Sequence, residues 1–324
     1  MKRNIQSNIK LYIFQLLILG IVISFSACQD KDEFIPDPVT GDINDFYEEA
    51  QGDYSQAIFD ATEDYVYITN TNTSVHVPAN SLINADGTTV TGEVTITFED
   101  VMNKGESVIH NVPTVSNGSL LSNEGTVYFT FSQDGVELSI KPGVVLVLRI
   151  TDNDTDQEAR LYEGYDAISN RNWVHSNQTL LRDSWSFFWD GKDWIDSGYE
   201  LYVTKTGWYS VSTEISVTEV FSQPMCIELP TELFDGSNSD VFLILNDYDT
   251  VIALEQDSEK MLFCAEFSNT PLGVNAKIVS ISSLGESNYH FGMSNAILNV
   301  ANSEIIIAPQ PKSKEQILDL LGMF

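Results

Sequence analysis

Basic residues are scarce in this chain: 16 Lys and Arg stand against 47 Asp and Glu, for a formal net charge of -31. Phosphate backbones and anionic headgroups are held by Lys and Arg, so this balance excludes a nucleic-acid binder. It suits a soluble surface protein and one that could recruit Ca²⁺. Histidine is limited to His76, His110, His175 and His290, with no two at metal-ligating spacing. No HExxH, CxxC or GxSxG string occurs, and no glycine-rich phosphate loop. That removes the zinc hydrolases, dithiol redox enzymes, nucleophile-elbow hydrolases and phosphate-loop NTPases. A lone His in or beside a strand reads as structural or solvent-facing. With 47 carboxylates, chance acidic pairs are guaranteed, so their number lends no support to glycoside hydrolysis. Aromatics at 11 % and abundant Val and Ile exclude intrinsic disorder despite the charge.

The basic residues that do occur are partly concentrated at the start. Lys2, Arg3 and Lys10 precede an apolar stretch from Leu11 to Phe25, broken by Gln15, Gly20 and Ser24. The stretch is too short for a comfortable bilayer span and reads as a signal segment, residues 1–27. Its end, Phe25-Ser26-Ala27-Cys28, resembles a lipobox, with Phe where Leu is commoner. The expectation is cleavage before Cys28 and acylation of its thiol. Several acyl chains hold firmly, because each buried methylene adds about 0.8 kcal/mol. The following CQDKDEF resembles the acidic export signal of Bacteroidota surface lipoproteins, which implies an outer-membrane protein facing the cell exterior. Loss of the three basic residues with the signal makes the mature chain more acidic still.

Residues 28–54 begin with an acidic run bearing Pro36 and Pro38, without hydrophobic period, and read as a tether. Asp45 to Ala50 could start a short helix, which Gly52 interrupts. From about Tyr65 the pattern turns to period two, the mark of half-buried strands. Val94, Ile96 and Phe98 alternate with Thr95 and Thr97. Val127, Phe129 and Phe131 alternate, Asp134-Gly135 turns, and Val136, Leu138 and Ile140 follow: a hairpin. Asp86-Gly87, Asn117-Gly118, Asp190-Gly191 and Asp235-Gly236 repeat the punctuation. Val144 to Ile150 is apolar on both faces, as a central sandwich strand would be. A second strand-rich stretch, about Tyr199 to Pro309, contains ELYV, WYSVS, ISVTEVF, DVFLILN, MLFCAEF, AKIVSI and EIIIAP. Turns about every ten residues predict an all-β chain of two β-sandwich domains in tandem. The expected divisions are a front sandwich over 55–180, a Trp-rich hairpin or linker over 181–198 and an Ig-like sandwich over 199–310. A short C-terminal helix falls within 311–324, capped by Ser313 with Gln316 completing a capping box. Its apolar face is Ile317, Leu318, Leu320 and Leu321.

The strings VHVPANSLINADGTTVTGEVTITFEDV, NVPTVSNGSLLSNEGTVYFTF, ARLYEG, NWV and GWYSVS resemble a group of Bacteroidota surface lipoproteins with a ZU5-like front β-sandwich. The resemblance covers about residues 55–320 and is most specific at Pro78-Ala79-Asn80-Ser81-Leu82 and Gly92-Glu93-Val94. It implies a strand at Gln56 to Ala61, and otherwise fold and location only. Some ZU5-bearing proteins cut themselves at a His-Phe-Ser type site. Here His290-Phe291-Gly292 lacks the hydroxyl and lies outside the front domain, which excludes that reaction.

Three groups of residues remain as candidates. Asp152, Asp154, Asp156 and Glu163 stand at positions 1, 3, 5 and 12 of an EF-hand-like loop, a hard-oxygen set for Ca²⁺. Against it, position 6 is Gln157 rather than Gly, position 8 is Ala159, and the flanks read as strands. The alternative is a solvated hairpin loop. All five Trp (Trp173, Trp185, Trp189, Trp194, Trp208) fall between positions 173 and 208. Trp185, Trp189 and Trp194, with Asp190 and Asp193, could stack on and hydrogen-bond a sugar; the alternative is packing, the expected role of Trp173 and Trp208. Cys226 and Cys264 each point away from an apolar face (Met225, Ile227, Leu229; Phe263, Ala265, Phe267) and could form a disulfide in an oxidising compartment. No catalytic residue is assigned. The leading reading is a non-catalytic binding, adhesion or scaffolding module held by its lipid, with surface proteins or glycans as partners and no cofactor beyond Ca²⁺. The alternatives are a glycan-binding lipoprotein of a nutrient-uptake system and a hydrolase with an acidic cleft.

Overall fold

A computed structural model describes residues 41–51, 55–152, 155–156, 158–164, 172–189, 192–217, 219, 225–230, 233–257, 259–265, 270–299 and 304–324. The signal segment and Cys28 lie outside the described residues. The front strands are β1 (Ser55–Asp60), β2 (Tyr65–Ile68), β3 (Ser74–Val77), β4 (Leu82–Ile83), β5 (Glu93–Val101), β6 (Val115–Ser116), β7 (Ser119–Gln133), β8 (Val136–Glu137), β9 (Ser139–Ile140), β10 (Leu146–Thr151), β11 (Arg160–Gly164), β12 (Val174–His175), β13 (Leu181–Trp189), β14 (Lys192–Val203) and β15 (Gly207–Ile215). The rear strands are β16 (Cys226–Glu228), β17 (Ser239–Leu245), β18 (Thr250–Asp257), β19 (Leu262–Cys264), β20 (Asn275–Ser283), β21 (Tyr289–Ile297), β22 (Glu304–Ile306) and β23 (Gln310–Lys312). Among the described residues three short helices join them: α1 (Ile43–Ala50), α2 (Lys104–Ile109) and α3 (Lys314–Leu321). The chain is all-β, built on sandwich lines, with the short helix at its C-terminal end.

Alternation builds the front half. One sheet runs β1-β5-β7-β15-β11-β12 and the second runs β13-β14-β10-β3-β2. Val94, Ile96 and Phe98 from β5 and Val127, Phe129 and Phe131 from β7 are buried on the inner face of the first. Leu146, Leu148 and Ile150 from β10 and Tyr199, Leu201 and Val203 from β14 meet them from the second. This is the face-to-face layering of a sandwich. Asp134 and Gly135 turn β7 into β8 with φ of 52° and 79°, as a two-residue hairpin demands.

The expected divisions shift accordingly. The 181–198 stretch is no linker: β13 and β14 form the edge pair of the second sheet, and β14 continues to Val203. Gly207–Ile215, expected to open the second domain, is a central strand of the first sheet between β7 and β11. Local alternation reads the same in either sheet, so only pairing partners place the boundary. The front half thus ends after Ile215 rather than at 180.

The rear half is one sheet, β22-β16-β19-β18-β17-β20-β21-β23, curled into a half-barrel. All seven residues of β17 are buried. Val241, Leu243 and Leu245 join Met225, Ile227, Leu229 and Phe263 on one face. Phe242 and Ile244 join Val279, Ile281 and Phe291 on the other, where all three helices cover them. Strands β18 and β21 go beyond the sequence expectation. In β21 the buried Gly292 and half-buried Ser294 carry little apolar signal, while Met293 and Ile297 are exposed.

The tether is shorter than expected. Within its predicted span 28–54, Ile43–Ala50 folds as α1, capped by the Asp42 carboxylate accepting from Asn44 N at 2.9 Å. Phe46 and Tyr47 are fully buried against the rear sheet. The Tyr47 hydroxyl donates to Asp240 Oδ2 at 2.8 Å. The glutamates Glu48 and Glu49 face outward, which explains why composition alone reads as a solvated run. The third helix has its expected capping box: Gln316 N donates to Ser313 Oγ and Ser313 N to Gln316 Oε1. A methyl group on Gly105 would collide with the Leu321 carbonyl, so α2 and α3 touch through that glycine.

Candidate functional site

The predicted calcium set is not brought together. Thr213 Oγ1 lies 3.2 Å from Asp156 Oδ2 and 3.4 Å from Glu124 Oε1. The Tyr199 hydroxyl accepts from Asp156 N at 2.7 Å and fixes this turn. Glu163 sits elsewhere on β11, where Ser176 Oγ donates to it at 2.6 Å and Gln178 Nε2 at 3.2 Å. It pairs with Tyr209, four residues from Thr213 along β15 and so about 13 Å away at 3.3 Å per residue. Asp154 lies outside the described residues. Among the described residues, no group of three or more His, Cys, Asp or Glu is arranged to hold a metal ion. The residue the sequence did not reveal is Glu124. Burial, then the charges of Asp152 and Asp156, push its carboxyl up to about 7, against the Thr213 hydrogen bond.

The tryptophans divide. Trp173 and Trp208 are core, as expected, and Trp173 Nε1 donates to the Pro113 carbonyl at 2.8 Å. Trp185 is removed from the sugar-stacking set. The residue is only 7 % exposed, and the Arg149 guanidinium lies 5.3 Å from its ring centroid. Arg149 is held there by Glu200 at 2.8 Å, which also accepts from the Tyr202 hydroxyl. A ring closed in this way offers no face to a ligand. Asp190 and the side chains of Trp189, Asp193 and Trp194 lie outside the described residues.

The disulfide is formed. Cys226 and Cys264 face each other directly on antiparallel β16 and β19, with Cα atoms 4.1 Å apart. Met225, Ile227, Phe263 and Ala265 turn into the core beside them, as alternation required. Phe267 lies outside the described residues. Of the histidines, His110 is buried with Nε2 3.3 Å from Glu99 Oε1 and its ring edge-on to Trp208. Burial holds His290 below the ordinary imidazole range.

The described residues also line a polar, solvent-open cavity of about 400 Å³, assembled from five separate stretches. Ile43 and Asn44 come from α1, Asn111 from the turn after α2, Gly236 from the turn leading into β17, and Ser239 and Asp240 from the start of β17. Leu254, Glu255 and Gln256 on β18 and Phe263 on β19 complete it. Asp240 is buried and keeps its bond from Tyr47. Gln256 is oriented by the Gly236 N–H, which donates to its Oε1 at 2.8 Å. A Cβ at Gly236 would press on that same oxygen and push the Gln256 amide aside. Sequence reading had no signal for this site, because its members are up to 220 positions apart and none belongs to a motif.

Set against models of known protein families, curated proteins and solved structures, the chain matches none.

Proposed function

We propose that this chain is a lipid-anchored outer-membrane protein, facing the cell exterior, whose β-body serves as a non-catalytic binding module. The observation that carries it is the string Phe25-Ser26-Ala27-Cys28-Gln29-Asp30-Lys31-Asp32-Glu33, a lipobox followed at once by charged residues. No helix among the described residues is long and apolar enough to cross a membrane. A disulfide in the rear sheet agrees with an oxidising compartment. The strings that resemble ZU5-like surface lipoproteins point to the same location.

The test is a Cys28→Ala substitution in cells fed a clickable fatty-acid analogue. The wild-type chain takes up the label, sediments with membranes, and is digested by protease added to intact cells. Cys28→Ala loses the label and leaves the membrane fraction while its melting transition is unchanged. A Cys28→Ala chain that stays with the membrane would sink the anchor, and a wild-type chain protected in intact cells would sink its outward orientation.

A further inference from the structure

The cavity of about 400 Å³ beside α1 has a chemical bias that identifies what it would hold. Its lining contains two carboxylates, Asp240 and Glu255, and no Lys, Arg or His. An anionic ligand would meet no compensating charge there and a like charge instead. Asn111 is 3 % exposed, and its side-chain oxygen has no hydrogen-bond partner. The Gln256 side-chain nitrogen is likewise buried without a partner, and its orientation is fixed because Gly236 N–H occupies Gln256 Oε1. Leaving a buried polar atom unmet costs free energy that a ligand recovers on binding. The main chain at Asn111 adopts a φ of 50°, a conformation that asparagine tolerates better than other side-chain-bearing residues.

We infer that the cavity binds a small protonated amine bearing hydroxyl groups, of the size and chemistry of an amino sugar. The ammonium donates to Asn111 Oδ1 and is balanced by the Asp240 carboxylate. A neighbouring hydroxyl accepts from Gln256 Nε2. The exposed Glu255 at the rim adds attraction for the cation during approach. The volume suits a monosaccharide and lies in the range of small-molecule sites. This inference rests on the binding-module reading but not on the anchor, since every lining residue belongs to the β-body and its helices.

The experiment is titration calorimetry on the mature chain carrying Cys28→Ala, with glucosamine as ligand and glucose and N-acetylglucosamine as controls. Glucosamine gives a saturable isotherm. Glucose and N-acetylglucosamine, which lack the ammonium, bind about tenfold more weakly or worse, the scale of a lost hydrogen bond to a charged group. Asn111→Gly, which keeps the main-chain conformation open, and Asp240→Asn, which keeps an acceptor for Tyr47, each weaken glucosamine by about the same factor. Gln256→Leu does so through the hydroxyl. No saturable isotherm with glucosamine, or equal binding of the three sugars, overturns the inference without any variant being needed. Unchanged affinity in a folded Asn111→Gly protein overturns it too. A failed anchor test leaves these results untouched, so the two readings fail separately.

Discussion

The front sandwich and the rear sheet solve the same problem differently. In the front half the two sheets cover each other's inner faces, and a smaller cluster of Val101, Val112, Leu121, Tyr162, Trp173 and Trp208 lies on the outer face of the first sheet. The rear sheet is apolar on both faces, as β17 shows with seven buried residues in a row. One face is filled by the curl of the sheet itself, with Leu120, Val115 and Ile215 from the front half at its edge. The other needs covers from outside, and they come from three distant places: α1 before the first strand, α2 from within the front half, and α3 at the C-terminal end. A run without alternation in an antiparallel sheet therefore announces that something else in the chain must lie on it. The rear half is consequently the one whose stability depends on distant segments.

The largest effect should come from removing a cover. Phe46 is fully buried, with its ring edge-on to Tyr47 and to Tyr289 of β21. Phe46→Ala is expected to cost about 3–5 kcal/mol, the usual range for a buried phenylalanine. Urea denaturation measures the loss, and hydrogen exchange locates it. Amides of β20 and β21 should exchange faster while those of β5 and β7 keep their protection. Equal acceleration in both halves would show that the molecule opens as one unit and would break the comparison.

Next is the disulfide, which ties β16 to β19 within the rear sheet only and closes a loop spanning 38 residues. The Cys226→Ser/Cys264→Ser pair should lower stability by about 3–4 kcal/mol in the chain-entropy model. Reduction of the wild-type protein should have the same effect on the same strands. A double mutant melting like the wild type would mean that the helices, not the bridge, hold this edge. Smaller again is the cap of α3. Ser313→Ala removes one side of the capping box and should cost about 1 kcal/mol, read as a lowered urea midpoint with unchanged slope.

How much of this was legible depended on whether a signal was local. Strands β5, β7 and β10, the Asp134-Gly135 turn and the capping box at Ser313 each declare themselves within a few residues. The cysteine pair was legible because strand parity aimed both thiols away from their apolar neighbours. Which sheet a strand joins was not, and so β14 and β15 were expected on the wrong side of the boundary. Helix α1 was half legible: a short helix at Asp45 to Ala50 was expected, but its buried side, Ile43, Phe46 and Tyr47, is embedded in an acidic run and gains its meaning only from the rear sheet. Loop spacing likewise placed Glu163 at position 12 of a calcium loop, whereas strand pairing carries it about 13 Å from Thr213, the hydroxyl that links Asp156 and Glu124. The cavity is the extreme case, with five contributing stretches and no local mark.

Glu124 supplies the smallest effect and the one that separates the halves by pH. Its carboxyl titrates at about 7 in the folded protein, raised first by burial and then by Asp152 and Asp156, against an ordinary value of 4.5. The folded state therefore holds this proton more tightly than the unfolded state, and the stabilisation this brings is complete below about pH 4.5. It is lost as pH rises through 7, where the charge is forced into a partly buried, acidic setting. The side chain is only half-buried, so solvent screening limits the penalty to on the order of 1 kcal/mol. Glu124→Gln removes the ionisation while keeping the hydrogen-bonding shape. It should melt with the wild type at pH 4 and above it at pH 8, with the gap opening between those values. Because Glu124, Thr213 and Asp156 all belong to front-half segments, the gap should appear in the exchange of β7 and β15 amides and not in β20 or β21. A difference that does not change with pH would mean that Glu124 stays ionised throughout, its charge answered by solvent rather than by the proton.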